Sequence, residues 1–199
     1  PETHQCTDDH RNSLCRDIIH PALTLLRRHS RRQKMITLAM REDIEEIAAL
    51  FQQAKAQMLR DNILQWHQAY PNLKHIAKDI LDQKCYKLVK NDEIVSVASF
   101  YQEGNTYWIK RFATTPSYTK CGYASQLYQH LENLGVVRQA EKICSVTNHS
   151  NQKMQHFLLK QGFHKDAEYE DASRKTYGKF YVFCKNFEVS KHEARSRTR

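Results

Sequence analysis

No stretch of about 18 apolar residues occurs anywhere in the 199 residues, so no segment reads as a membrane-spanning helix. There is no Cys-x-x-Cys pair either. The six cysteines, Cys6, Cys15, Cys85, Cys121, Cys144 and Cys184, are scattered along the chain. Cys85, Cys144 and Cys184 lie inside apolar, strand-like runs, where a thiol behaves as a small core hydrophobe. These absences lead to the expectation of a cytoplasmic protein in a reducing compartment, with no disulfide framework and no membrane partner. The Gly-Lys-Ser/Thr ending of a P-loop is missing. The loop around Gly122 holds a single glycine, which rules out the dinucleotide-binding fingerprint.

Apolar residues make up 40% and charged residues 27% of the chain, ordinary for a water-soluble globular domain. The formal net charge is +9. Residues 1–34 hold seven Lys/Arg against four Asp/Glu, and residues 188–199 hold four against two; the ends supply +3 and +2, leaving +4 for residues 35–187. A mildly basic core suits a polyanionic ligand. The basic ends keep open a nucleic-acid-binding alternative, less favoured than a small anionic ligand.

Three segments are expected. Residues 1–34 form a basic N-terminal extension, with a short helix over part of 18–26. Asp8, Asp9 and Asp17 argue against a secretory signal there. Cys6, His10, Cys15 and His20 fit no standard zinc spacing, so no metal is expected. Residues 188–199 form a charged tail without a periodic apolar face, expected to be disordered. The core is 35–187.

Within the core, a strand over 35–39 precedes a helix whose apolar face is Ile44, Ile47, Phe51, Ala54 and Met58. A connection with Trp66, His67 and Tyr70 is closed by Pro71. A second helix follows, with Leu73, Ile76, Ile80 and Leu81 as its apolar positions. Strands over 85–90, 94–101 and 106–114 are joined by tight turns. A loop and a helix to about residue 138, a strand over 141–147, a helix from Asn151 and strands over 163–169 and 180–187 complete the order βααβββαβαββ. The hairpins imply antiparallel pairing, and the strand–helix–strand from 106 to 147 implies one parallel pair. The expected fold class is α/β of the α+β type: a mixed, largely antiparallel sheet with helices on both faces.

The strand–loop–helix over residues 112–125 is the natural place for an anion. The first turn of a helix has unpaired amides and a partial positive charge, and Gly122 lets the backbone approach a phosphate closely.

In element order and in two motifs, residues 35–187 resemble the Gcn5-related N-acetyltransferase family. The first motif is the run Thr119, Lys120, Cys121, Gly122, Tyr123, Ala124, preceded by Pro116 and Tyr118. The second is a helix opened by Asn151 and ended by Gly162 and Phe163. The resemblance implies an acyl-CoA N-acyltransferase fold and acetyl-CoA as cosubstrate, with no metal. It places the coenzyme A pyrophosphate on the backbone of Lys120, Cys121, Gly122, Tyr123, Ala124 and Ser125. Thr119 stands where the family usually has Arg or Gln, and Lys120 partly replaces that contact. Phe112, Ala113 and Thr114 would present backbone groups to the pantetheine arm, and Asn151 would also contact it.

Acetyl transfer needs a neutral amine, a proton acceptor and a donor for the developing oxyanion. The backbone amides of Phe112, Ala113 and Thr114 are the candidate oxyanion donors. No side chain is assigned as a catalytic residue: the strand over 106–114 has no Asp or Glu, and Leu158 stands where many family members carry a proton-donating Tyr. His67, Glu168, Glu170 and Tyr177 are the possible bases. Trp66, His67, Tyr70 and Arg111 are candidate acceptor-binding residues, with core packing of the aromatics and an exposed arginine as the alternatives. The expected activity is acetyl transfer from acetyl-CoA to a primary amine of a small molecule or peptide, in a ternary complex, by a monomer or homodimer. A coenzyme A-binding module without catalysis is the alternative that Leu158 and the missing base suggest.

Overall fold

The computed structural model describes residues 35–63, 65–67 and 69–187. The expectations for 1–34 and 188–199 lie outside the described residues. Seven strands form one sheet in the order β1-β2-β3-β4-β5-β7-β6. They are β1 (Met35–Leu38), β2 (Cys85–Lys90), β3 (Glu93–Glu103), β4 (Thr106–Thr114), β5 (Lys142–Asn148), β6 (His164–Glu170) and β7 (Lys179–Asn186). The helices are α1 (Ile44–Arg60), α2 (Leu73–Leu81), α3 (Tyr123–Val137) and α4 (Gln152–Lys160). Every expected core element is present in the expected order. All neighbouring strands are antiparallel except β4 and β5.

The two faces of the sheet are covered by different helix pairs. In α1, Ile47, Leu50, Phe51 and Ala54 recur at helical spacing and are buried. With Ile76 and Ile80 of α2 they pack on Ile94, Val97 and Ala113. On the other face, Leu127 and Leu131 of α3 and Leu158 of α4 pack on Leu88, Val95, Ile109 and Ile143. Each such fully buried aliphatic side chain contributes about 1.5–3 kcal/mol. β3 is buried from Ile94 to Phe100, as a strand covered on both faces must be. β6 is exposed along its whole length and forms the edge. No helix among the described residues is long and apolar enough to cross a membrane.

Two expectations are corrected. Cys144 and Cys184 are buried, as expected, but they are joined by a disulfide. They lie 40 residues apart in sequence, and the β5–β7 register sets them directly opposite each other. Cysteine spacing gives no hint of that register, and the cysteine argument for a reducing compartment falls with it. In α2, Leu73 and Leu81 are exposed (52% and 67%), and Asp79 is buried at 7% between Ile76 and Ile80. An apolar count along the helix misplaced its inner face because a carboxylate occupies part of it.

Candidate active site

β4 and β5 pair only from Thr106 to Ile109 against Lys142 to Ser145. Beyond that point β4 stays on β3 and β5 stays on β7, and a cavity opens between them. Ile109, Lys110, Arg111 and Phe112 line it from β4, Ser145 and Val146 from β5, with Met58, Gln65, Asn151 and Met154 around the rim. A separate cleft between α1 and α2, bordered by Ala48, Phe51, Pro71 and Ile76, has Lys74 as its one titratable group. The wedge is where helix ends and strand ends converge.

The parting begins at a bulge. On β3, Val97 to Ser99 is two steps; on β4 the matching stretch, Lys110 to Ala113, is three. Arg111 takes the extra step with φ +50°, the left-handed region a side chain rarely adopts. The bulge reverses the alternation of β4. Tyr107, Ile109 and Phe112 belong to the α3/α4 layer, whereas Ala113 belongs to the α1/α2 layer and Arg111 bonds Asp79 of α2. Thr115 N donates to Val95 O at 2.9 Å, and Ala113 is paired with Val97. Because bonded pairs alternate in an antiparallel ladder, the N–H of Ala113 faces β3 and that of Thr114 faces the β5 side.

Downstream, Pro116–Tyr118 forms one 3-10 turn, and Thr119 Oγ1 donates to Pro116 O at 2.9 Å. Lys120 (φ +63°) and Gly122 (φ +80°) then turn the chain into α3. Gly122 is the N-cap and offers no side chain to the first-turn amides, which have no carbonyl behind them in the helix. Lys90 stands beside this turn, its ammonium 5.5 Å and 5.0 Å from the ring centres of Tyr118 and Tyr123. A hydrogen bond to Tyr123 holds its pKa above the usual lysine value. Lys90 was not picked out in the sequence, since it lies on β2, 30 residues upstream. Cys121, Lys120 and Thr119 are exposed, and Tyr123 is buried.

Asn151 caps α4: its Oδ1 accepts from Met154 N at 3.1 Å. Its Nδ2 donates to Gln65 Oε1 at 2.7 Å, and the same oxygen accepts from Thr147 Oγ1 at 2.8 Å. Gln65 thus ties the α1–α2 connection to the ends of β5 and α4. No sequence pattern marks it, because its partners lie more than 80 residues away.

The four acceptor-side candidates separate. Trp66 is a core residue, 9% exposed, with its ring edge-on to Phe51 at 5.4 Å. His67 and Tyr70 face each other across an isolated bridge, and the ring of Tyr177 comes within 6.0 Å of His67. His67 Nδ1 accepts from Ala69 N at 3.2 Å, which puts the proton of the neutral ring on Nε2. Arg111 is occupied internally. Nε and Nη2 donate to the two oxygens of Asp79 at 2.5 and 2.6 Å, and Nη1 donates to Tyr70 Oη at 3.1 Å. Ser99 Oγ also donates to Asp79. Burial lowers the pKa of Arg111, and the hydrogen bonds and charge attraction of Asp79 and Tyr70 together outweigh it and raise the value.

Among the possible bases, Glu168 is exposed on β6. Lys165 and Lys179, at 2.6 and 2.5 Å, hold its carboxyl down to about 2. Glu170 is exposed, and the ring of Tyr177 lies 6.0 Å from that of His67, its backbone carbonyl accepting from Asn148 Nδ2 at 2.8 Å. Leu158 is 1% exposed in the apolar core. Among the described residues no group of three or more His, Cys, Asp or Glu is placed to hold a metal ion.

Residues 42–163 match the acetyltransferase (GNAT) family, and the chain belongs to that family. No curated protein matches the sequence. Among solved structures, the chain is similar to the ribosomal-protein-S18-alanine N-acetyltransferase of Escherichia coli. The identity is 14% and the TM-score 0.65, covering 81% of this chain and 98% of that one. It is also similar to Ard1 of Thermoplasma volcanium, with 14% identity, a TM-score of 0.66, and 78% and 99% coverage. The PaiA N-acetyltransferase of Thermoplasma acidophilum, solved with coenzyme A, gives 12%, 0.66, and 78% and 99%. These likenesses concern the fold.

Proposed function

We propose that the chain transfers an acetyl group from acetyl-CoA to a primary amine of a small molecule or peptide, directly within a ternary complex. One observation carries the reading: α3 starts uncapped on left-handed Gly122, at the end of the strand that parts from β5. The amides of Gly122, Tyr123, Ala124 and Ser125, with that of Lys120, suit a pyrophosphate; that of Cys121 donates to Tyr118 O at 3.4 Å and would have to turn from it to join them. Lys90 and Lys120 add positive charge. Hydrogen bonds from such amides to a charged acceptor are worth roughly 1.5–3 kcal/mol each, so loss of the Arg or Gln at position 119 is tolerable. The PaiA relative binds coenzyme A, which supports the same ligand here.

Acetyl-CoA supplies an activated thioester; the chain supplies placement. Phe112 and Thr114, flanking Ala113, offer backbone amides to the pantetheine arm and to a developing oxyanion. Asn151 Nδ2 is the side-chain donor at the rim. His67 and Tyr70 border the acceptor side, and Trp66 supports them from the core. Glu168, held near 2, is a weak base at neutral pH. An acceptor amine therefore loses its proton to water or to His67, whose Nδ1 bond would first have to give way. The testing experiment is a screen of primary amines with free thiol as readout. Thiol release dependent on one amine class supports transfer. Release with none, together with tight coenzyme A binding, would favour the non-catalytic module, the reading that buried Leu158 supports.

A further inference from the structure

Asp79 is an acid on the buried face of α2, and Arg111 is a cation in the left-handed region at the point where β4 leaves β5. Each is unusual alone, and together they explain each other. Without the extra residue, β4 would continue its alternation and turn Arg111 into the apolar layer that holds Ile109 and Tyr107. The φ of +50° instead turns the guanidinium to the α2 side. There it meets both oxygens of Asp79, while Ser99 Oγ of β3 bonds the same carboxylate. Side-chain exposures of 13% and 10% leave the pair little water to fall back on. The last guanidinium arm reaches Tyr70 on the acceptor side.

We propose that Asp79 and Arg111 are positioning residues for the transfer reaction. Their paired bond locks the β4 bulge, and the bulge sets the direction of the Phe112 and Thr114 amides in the wedge. This rests on the acetyl-transfer reading above. It also changes the role of Arg111: with both Asp79 oxygens on it, the arginine is a strut and not the anchor for an acceptor carboxylate. The pyrophosphate turn at 119–125 lies beyond the strand's last ladder bond and is built independently, so coenzyme A binding and turnover should separate.

The test compares Arg111→Lys, which keeps a cation but loses the two-pronged bond, with Asp79→Asn, which keeps shape and removes charge. Both are assayed at a temperature where circular dichroism shows them folded. The expected result is a kcat lowered about 100-fold, as for a slight misplacement of reacting groups. KM for acetyl-CoA and for the amine should stay within about threefold, since ground-state binding is kept. Amide exchange at Ala113 and Thr115, whose N–H groups face β3 across the bulge, should rise in both variants and stay unchanged over β5. An unchanged kcat in either folded variant would overturn the proposal. So would a raised acceptor KM alone in Arg111→Lys with tighter acceptor binding in Asp79→Asn, which would make Arg111 an acceptor anchor. If the wild-type protein acetylates no amine, the transfer reading fails. Amide exchange then decides the strut by itself: unchanged exchange at Ala113 and Thr115 in Asp79→Asn would refute it.

Discussion

The two sides of the wedge are built in different ways. The side proposed for coenzyme A is a short contiguous turn, 115–125, whose working parts would be backbone amides and one glycine. The side proposed for the acceptor draws Tyr70 from the α1–α2 connection, Asp79 from α2, Ser99 from β3 and Arg111 from β4, joined by side-chain hydrogen bonds, while Gln65 of the same connection bonds Thr147 and Asn151 separately. A backbone site tolerates side-chain drift, since any residue supplies an N–H. A side-chain network fails when one member is lost, because its buried polar neighbours are left unpaired.

The largest expected effect tests that fragility. Asp79→Ala leaves Arg111 without its carboxylate, and losing one partner of a buried pair costs about 3–5 kcal/mol of stability. A urea melt measures it; a loss below about 1 kcal/mol would class the pair with weak surface bridges and remove the contrast. Next comes Gly122→Val. A β-branched residue at φ +80° is strained and brings a side chain to the anion. Loss of one or two charge-assisted bonds predicts coenzyme A affinity weaker by about 100-fold, read by calorimetry. An unchanged affinity would show that the turn is not the binding backbone.

Smaller effects sharpen the picture. Thr119 spends its hydroxyl on Pro116 O, so Thr119→Arg adds a phosphate contact where none stands. It should tighten coenzyme A by about three- to tenfold in a competition assay, with a surface-exposed cation worth about 1 kcal/mol. Weaker binding would mean that the Thr119–Pro116 bond shapes the turn. The smallest effect is that of Glu168→Gln. The folded-state value of Glu168 lies at about 2, below the ordinary 4.5. What its lysine bonds contribute is present above that ordinary value and lost as pH falls through about 2. The group is already ionised across an assay range of roughly pH 5–9, so the pH–rate profiles of variant and wild type should superimpose. A lost acidic limb in Glu168→Gln would make Glu168 a base after all.

The same difference in construction governs how much could be read from the sequence. Element order was readable because apolar periodicity reports burial locally, and β2 and β4 occupy their expected spans. Gly122 and Asn151 were visible because each acts at a fixed offset from a helix start. The Asp79–Arg111 pair was hidden twice over. A buried acid breaks the helical apolar pattern that finds a core face, and a bulge breaks the twofold pattern that says where a strand residue points. Gln65 and the Cys144–Cys184 bond depend on long-range register, of which local sequence carries no trace.

The central claim is that the two sides of the wedge are separable, and calorimetry with acetyl-CoA on three proteins tests it most directly. The wild type should bind at one site. Gly122→Val should bind about 100-fold more weakly, and Asp79→Asn within about threefold of wild type. No binding to the wild type at millimolar acetyl-CoA, or equal weakening in both variants, would contradict the account.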